Sequence, residues 1–291
     1  MHITPGFPDL LRLIDERSAA FRVAVAAAPS LDVQVPTCPE WTLFDLVQHL
    51  GEGRRAWAAT IAAGPDATSK SAPQGDPSVP RERDALLVWL AASTQELLDA
   101  LREAGPDRGC WTWWGKSQSP QTCGAVARHQ LHEIAVHTYD AQLTVGAPQP
   151  LPDEVALDGV EEFLTTICTT TVAWPHEPAG VDYHATEGRS WRNWLSDDGA
   201  RLDRLPEPGA GPTADKAPDT ADASARGTAD ELVLGFYGRI PFDSLKLDGD
   251  GRIFDQLVAW DPEQQPAPLP PATATPVRPG AGEPAGSLPT P

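Results

Sequence analysis

Apolar residues recur at three- and four-residue intervals through four stretches of the first half of the chain, the spacing that puts them on one face of a helix. From Pro8 to Ala27, the positions Leu10, Leu11, Leu13, Ile14, Phe21, Val23 and Val25 predict a first helix. In the second, Thr42 is placed to cap the helix, with Asp45 three residues on and Pro39 just ahead, and the pattern runs to about Ala63. A Pro-, Gly- and Ser-rich connection from Gly64 to Pro80 breaks the periodicity. A third helix is predicted from about Arg81 through Leu86, Leu90, Leu97 and Leu101, and a fourth from about Thr122 to Thr144. Four helices of this length predict a four-helix bundle, a fold that builds metal sites from inward side chains on facing helices.

From Pro150 the pattern changes. LPDEVALDGVEEFLTTI keeps helical spacing, but VDYHATEGRSWRNWLSDDGARLDRL alternates polar and apolar residues between turn signals, as strands do. Helical spacing returns in TADELVLGFYGRI and GRIFDQLVAW. The predicted class is therefore α plus α+β, with a bundle over residues 1–148 and a smaller α+β domain over 149–261. Within the second domain, residues 205–227 are too poor in large apolar side chains to pack and are expected to form a mobile loop. The Pro-rich residues 262–291 have no core-forming periodicity and are expected to be disordered. The DGDG at Asp248 to Gly251 lacks the later ligands of a calcium loop and reads as a turn.

Charge narrows the function classes. A formal net charge of -19 opposes binding to nucleic acid or to an anionic membrane surface. No apolar run approaches the roughly 20 residues of a membrane span, and the N-terminal residues lack a signal-peptide pattern, so a cytoplasmic protein acting on small molecules is expected. Cys38, Cys110, Cys123 and Cys168 are far apart without a CxxC and read as reduced thiols. Nothing in the chain speaks to its oligomeric state.

The chemistry-bearing feature is RHQLHEIAVHTYD. Glu133 and His137, four apart, project from one helix face about one turn from each other, where both can reach one metal ion. A carboxylate on a face otherwise lined by Ala and Val is costly unless paired or bound to a cation. His49, beside Leu46 and Leu50 in the second helix, is the best third ligand. Three protein ligands leave a coordination position open for chemistry. His129 and His132 either compete for the same role or are simply solvated, and Asp140, three after His137, either orients its imidazole or stands idle at the helix surface.

Three segments, TCPEWTLFDLVQHLGEG, CWTWWGKSQSPQTCGAVARHQLHEIAVHTYDAQ and GTADELVLGFYGRIPFDSLKLDGDG, together resemble the mycothiol-dependent maleylpyruvate isomerase family of actinobacteria over roughly residues 8–261. The resemblance implies a DinB-like bundle as the first domain. It also implies a divalent metal, typically zinc, held by a His on the second helix and a Glu and a His four apart on the last, roles that fall on His49, Glu133 and His137. The cosubstrate implied is mycothiol, a low-molecular-weight thiol. The function implied is an S-transferase or isomerase in which a metal-activated thiolate attacks a small electrophile.

Arg83, at the start of the third helix, and Arg239, in FYGRIPF, are candidates to clamp a carboxylate of thiol or substrate, since guanidinium pairs with carboxylate bidentately. Trp111, Trp113 and Trp114 either wall a pocket between the domains, with Trp113 offering contact area to the thiol, or plug the bundle. Two other functions compete: hydrolysis or isomerisation by metal-bound water without thiol, and ligand binding without turnover on the same fold.

Overall fold

Each of the four stretches with helical spacing folds as a helix: α1 (Phe7–Ala27), α2 (Leu43–Ala63), α3 (Arg83–Ala104) and α4 (Cys123–Thr144). The computed structural model describes residues 4–67, 79–206 and 220–262; most of the connection after α2 and nearly all of the tail lie outside these. The helix starts follow their local chemistry. Thr42 accepts the backbone N–H of Asp45 while the Asp45 carboxylate takes the N–H of Thr42, a complete capping box. Thr122 caps α4 through the N–H of Ala125. Helix α3 begins two residues later than its periodicity predicts, because the Glu82 carboxylate accepts from the N–H groups of Asp84 and Ala85 and so acts as its cap.

Helix α1 packs chiefly on α4, and α2 on α3. Helix α4 touches α1, α2, α3 and also α5 (Asp153–Thr166), so it is covered on several sides. Its polar side chains consequently point at other elements rather than at solvent. Between α1 and α2 runs a hairpin that the periodicity did not reveal, β1 (Gln34–Val35) with β2 (Cys38–Thr42). Strands so short carry too few alternations to stand out in sequence.

The remaining strands form one mixed sheet: β3 (Ala179–Ala185), β4 (Ser190–Ser196), β5 (Gly199–Arg204), β6 (Ala223–Gly227) and β7 (Lys246–Gly249), in the order β5-β4-β3-β6-β7. Only β3 and β6 run parallel; the other neighbours are antiparallel. Alternation sorts the faces. Val181, Tyr183, Ala185, Trp191, Leu195, Ala223 and Ala225 join the core, whereas the register-paired Asp182 and Arg192 form a bidentate ion pair on the opposite face. Helices α6 (Ala229–Phe236) and α7 (Arg252–Ala259) complete the second half. The bundle and the sheet share a core, since Leu13, Trp57 and Leu131 belong to the same buried cluster as Val160, Trp191 and Leu232.

The structure corrects one boundary of the expected loop. Ala223–Gly227, within the span 205–227, forms β6, because Ala223 and Ala225 are buried in the core while its backbone pairs with β3 and β7. Residues 207–219 of that span lie outside the described residues. The DGDG segment is partly strand as well: β7 ends at Gly249, whose φ of +83° opens the turn, and Asp250 donates its N–H to the carbonyl of Asp222.

Candidate metal centre

His49 lies in the second turn of α2, its position fixed by Leu46 and Leu50, both buried. Glu133 and His137 come from the middle of α4. One nitrogen of each histidine and one carboxylate oxygen of Glu133 all lie within 4.8 Å of one another, and Nε2 of His49 is 3.4 Å from Oε1 of Glu133. Side-chain exposure falls from 39% at His49 to 19% at Glu133 and 12% at His137, so solvent reaches the group from the α2 side. Gly53, one turn beyond His49, faces the site: a Cβ there would stand 3.9 Å from Oε1 of Glu133, an ordinary contact.

Around this trio sits a second ring of contacts. The Trp41 ring centroid is 4.7 Å from that of His49 and 6.3 Å from that of His137. Gln130 donates to Oε2 of Glu133. Oδ2 of Asp140 lies 2.9 Å from Nδ1 of His137. Asp140 also accepts from Thr37 Oγ1 at 2.6 Å, from Arg239 Nε at 3.0 Å and from an Arg239 terminal nitrogen at 2.7 Å. Buried Arg54, bonded to Thr94 and Ser18, adds its charge to the field at Glu133.

Electrostatics favour two anions here. Burial works against a charge on Glu133, but the hydrogen bond with His49 and the proximity of His129, His49 and His137 outweigh it and hold the carboxyl far below the usual carboxylate range. Asp140 behaves alike: burial opposes ionisation, and His137 and Arg239 bring its carboxyl down to about 2. Cys38, at the edge of this group, has its thiol pushed up by burial and by Asp140, with Arg239 opposing, which suits a packed thiol rather than a nucleophile.

The donor set fits a divalent cation. Ligand bonds of about 2.0–2.2 Å in a tetrahedron put neighbouring ligand atoms about 3.4 Å apart; His49 and Glu133 stand at that separation, and the three ligand atoms together lie within 4.8 Å. Two imidazoles and one carboxylate suit zinc, and equally nickel, cobalt or iron.

The other sequence candidates separate clearly. His129 and His132 turn toward α5: Nδ1 of His129 is 2.9 Å from Oε1 of Glu162, and Nε2 of His132 is 2.8 Å from Oδ2 of Asp158. Arg239 reaches the trio's neighbour Asp140. Arg83 is directed elsewhere, donating to the carbonyl of Ala26 at the end of α1 at 3.4 Å, with no contact to the trio among those described. Trp114 is buried against Trp57 and His129, while Trp113 stays 41% exposed, its ring roughly perpendicular to the same histidine at 5.7 Å. Sequence reasoning missed Thr37, Trp41, Arg54 and the Arg239–Asp140 pair; only Trp41, just ahead of the capping box that precedes His49, stood near a visible signal.

Two family models match the chain: the mycothiol maleylpyruvate isomerase N-terminal domain over residues 11–142, and the C-terminal domain of the same family over residues 154–256. Among solved structures, that of the mycothiol-dependent maleylpyruvate isomerase is similar, with a TM-score of 0.51 and 14% identity over 84% of this chain and 93% of that one. The crystal structure of a histidine-to-alanine mutant of that enzyme gives a TM-score of 0.50 at 14% identity over the same shares. At such identity the likeness concerns the fold. No curated protein matches the chain by sequence.

Proposed function

The chain belongs to the mycothiol maleylpyruvate isomerase family, and from that premise we propose that it is a metal-dependent, mycothiol-using isomerase or S-transferase acting on a small electrophile. The observation that carries this reading is the convergence of His49, Glu133 and His137 from two helices to within 4.8 Å. A divalent cation held by these three residues, zinc by preference, would supply the charge that keeps the thiol of mycothiol ionised at neutral pH. On this reading, residues 1–148 supply the donors and residues 149–261 bring Arg239 to their edge.

The chain's own residues then do the following. Glu133 stays anionic and balances the charge of the site. Asp140 aligns His137. Arg239 presents positive charge beside the trio; Asp140 takes its Nε edge, Tyr237 O takes one terminal N–H and Cys38 Sγ lies 3.6 Å from the other terminal nitrogen, so a carboxylate of thiol or substrate would meet only the one terminal N–H that is left. Trp41 and the exposed Trp113 offer apolar surface to a bound organic group.

For an isomerase, sulfur adds to an activated double bond, forming a C–S bond as the π pair moves onto the conjugated carbonyl oxygen. Rotation follows about the bond that is now single. The pair then returns and sulfur leaves as the same thiolate, so no thiol is consumed. A transferase instead protonates the adduct and releases it. We place this chemistry in the cytoplasm of an actinobacterium, where mycothiol is available.

The test is elemental analysis of the purified protein together with a mycothiol titration, with and without chelator. Bound metal and chelator-sensitive thiol binding are expected; thiol binding that survives removal of all metal overturns the metal-activated mechanism.

A further inference from the structure

We propose that Asp140 is a positioning residue that fixes the tautomer and orientation of His137, and that Arg239 and Thr37 hold Asp140 in place, so that the geometry of the metal centre depends on two segments outside the bundle helices. The proposal rests on the reading of His137 as a metal ligand.

Asp140 has no exposed surface. A buried carboxylate survives only when its lone pairs are filled. Here the donors are the Thr37 hydroxyl on Oδ1, Arg239 Nε on Oδ1, an Arg239 terminal N–H on Oδ2, and His137 Nδ1 on Oδ2 at 2.9 Å, with the weak Cys38 thiol 3.9 Å from Oδ2. A bidentate guanidinium is met by an ionised carboxylate, which can only accept. Nδ1 of His137 must therefore carry the hydrogen. In the neutral imidazole this leaves the lone pair on Nε2, at the opposite side of the ring, available to a cation shared with Glu133 and His49. Outer hydrogen bonds of this kind set which histidine nitrogen binds metal and lock the ring's rotation.

The three partners come from separate parts of the chain. Thr37 sits in the β1–β2 hairpin, His137 one turn before Asp140 on α4, and Arg239 just beyond α6. Arg239 is anchored in turn, since its other terminal nitrogen donates to the carbonyl of Tyr237 at 2.7 Å. With both its Nε edge and this corner engaged, Arg239 acts on the centre through Asp140. Displacement of the hairpin or of the segment after α6 would reach the metal ligand by this route, with no contact between either segment and the ion.

The test compares the wild type with Asp140→Asn, Arg239→Met and Thr37→Val in the full chain. Zinc affinity is measured by competition with a chromogenic chelator, the His137 tautomer by nitrogen-15 NMR of the metal-free protein, and folding by thermal melting. Asp140→Asn is expected to weaken zinc binding about 10- to 100-fold and to abolish the single Nδ1–H tautomer. Arg239→Met and Thr37→Val are expected to weaken it less, and they keep the test available should Asp140→Asn fail to fold. Wild-type affinity in all variants that fold, together with an unchanged tautomer, overturns the proposal. If the wild type binds no zinc, the metal reading fails, and the tautomer comparison still decides whether Asp140 fixes His137.

Discussion

Nε2 of His49 on α2 lies 3.4 Å from Oε1 of Glu133 on α4, a contact made between two bundle helices. If the contact marks a shared cation, replacing either side chain removes a ligand. His49→Ala and Glu133→Gln should each lower zinc affinity by more than the roughly 10- to 100-fold expected for loss of an outer partner. Chelator-sensitive mycothiol binding should fall in parallel. Elemental analysis after dialysis against a weak chelator reads the first effect and calorimetry the second. Retention of zinc by both variants would sink the three-ligand assignment.

The parts of this arrangement that were legible in sequence are the local ones. The four bundle helices follow from apolar spacing, and the cap of α2 from Thr42 and Asp45, because helix signals act within a turn or two. Glu133 and His137 were visible for the same reason, being one turn apart on one helix. His49 needed the flanking leucines to suggest that it faced inward. Nothing local distinguishes Glu133 from His129 or His132, however; what separates them is that α5 offers Glu162 and Asp158 to the two histidines. The Arg239–Asp140 pair was unreadable because its members are brought together only by tertiary packing, and the same packing puts Arg239 beside Asp140 and Arg83 against the carbonyl of Ala26. Strand β6 was hidden by its composition: Ala, Ser, Arg and Gly form a strand there because β3 and β7 bracket it.

Asp158 should carry part of the acid stability. It accepts a bidentate pair from Arg128 and a bond from His132, and is almost wholly buried. Burial works against its charge, but these partners outweigh it and hold the carboxyl far below the usual range. A depressed folded-state value means stability that is fully present above the unfolded aspartate value of about 3.9 and is lost as pH falls below it toward the folded value. Asp158→Asn should therefore cost about 3–5 kcal/mol at pH 7, the usual penalty for leaving a buried partner charge unpaired. It should also flatten the loss of stability below about pH 4. Urea denaturation across that range measures both; an unchanged acid limb would show that other carboxyls govern it.

Two glycines at positive φ separate conformational strain from steric conflict. Gly199, at φ +114° at the start of β5, would place a Cβ 2.1 Å from the carbonyl oxygen of Thr170, to which the neighbouring Ala200 is bridged. Gly188, at φ +102°, has nothing within 4 Å of that position. Alanine at Gly188 should cost only the strain of an unfavourable backbone region, about 1–3 kcal/mol. Alanine at Gly199 adds a clash with backbone and should cost clearly more. Melting curves of the two variants test the order, and equal losses would mean that the Thr170 segment yields freely.

The tryptophans test whether one cluster serves two purposes. Trp114 is buried, with its ring 5.8 Å from that of Trp57 on α2 and 5.1 Å from that of His129 on α4, so it packs between these two helices. Trp113 stands beside it, edge to face at 5.2 Å, but keeps 41% of its surface exposed. Truncating the first should leave a cavity and cost about 3–5 kcal/mol, as large core aromatics do. Truncating the second removes little buried area, so its stability effect should stay within about 1 kcal/mol. If Trp113 contacts the organic part of a bound thiol, Trp113→Ala should instead raise the dissociation constant for mycothiol several-fold while leaving zinc affinity alone. Parallel denaturation, zinc competition and thiol titration on both variants separate these roles. A thiol affinity unchanged in Trp113→Ala would return that side chain to the same packing cluster as its neighbour.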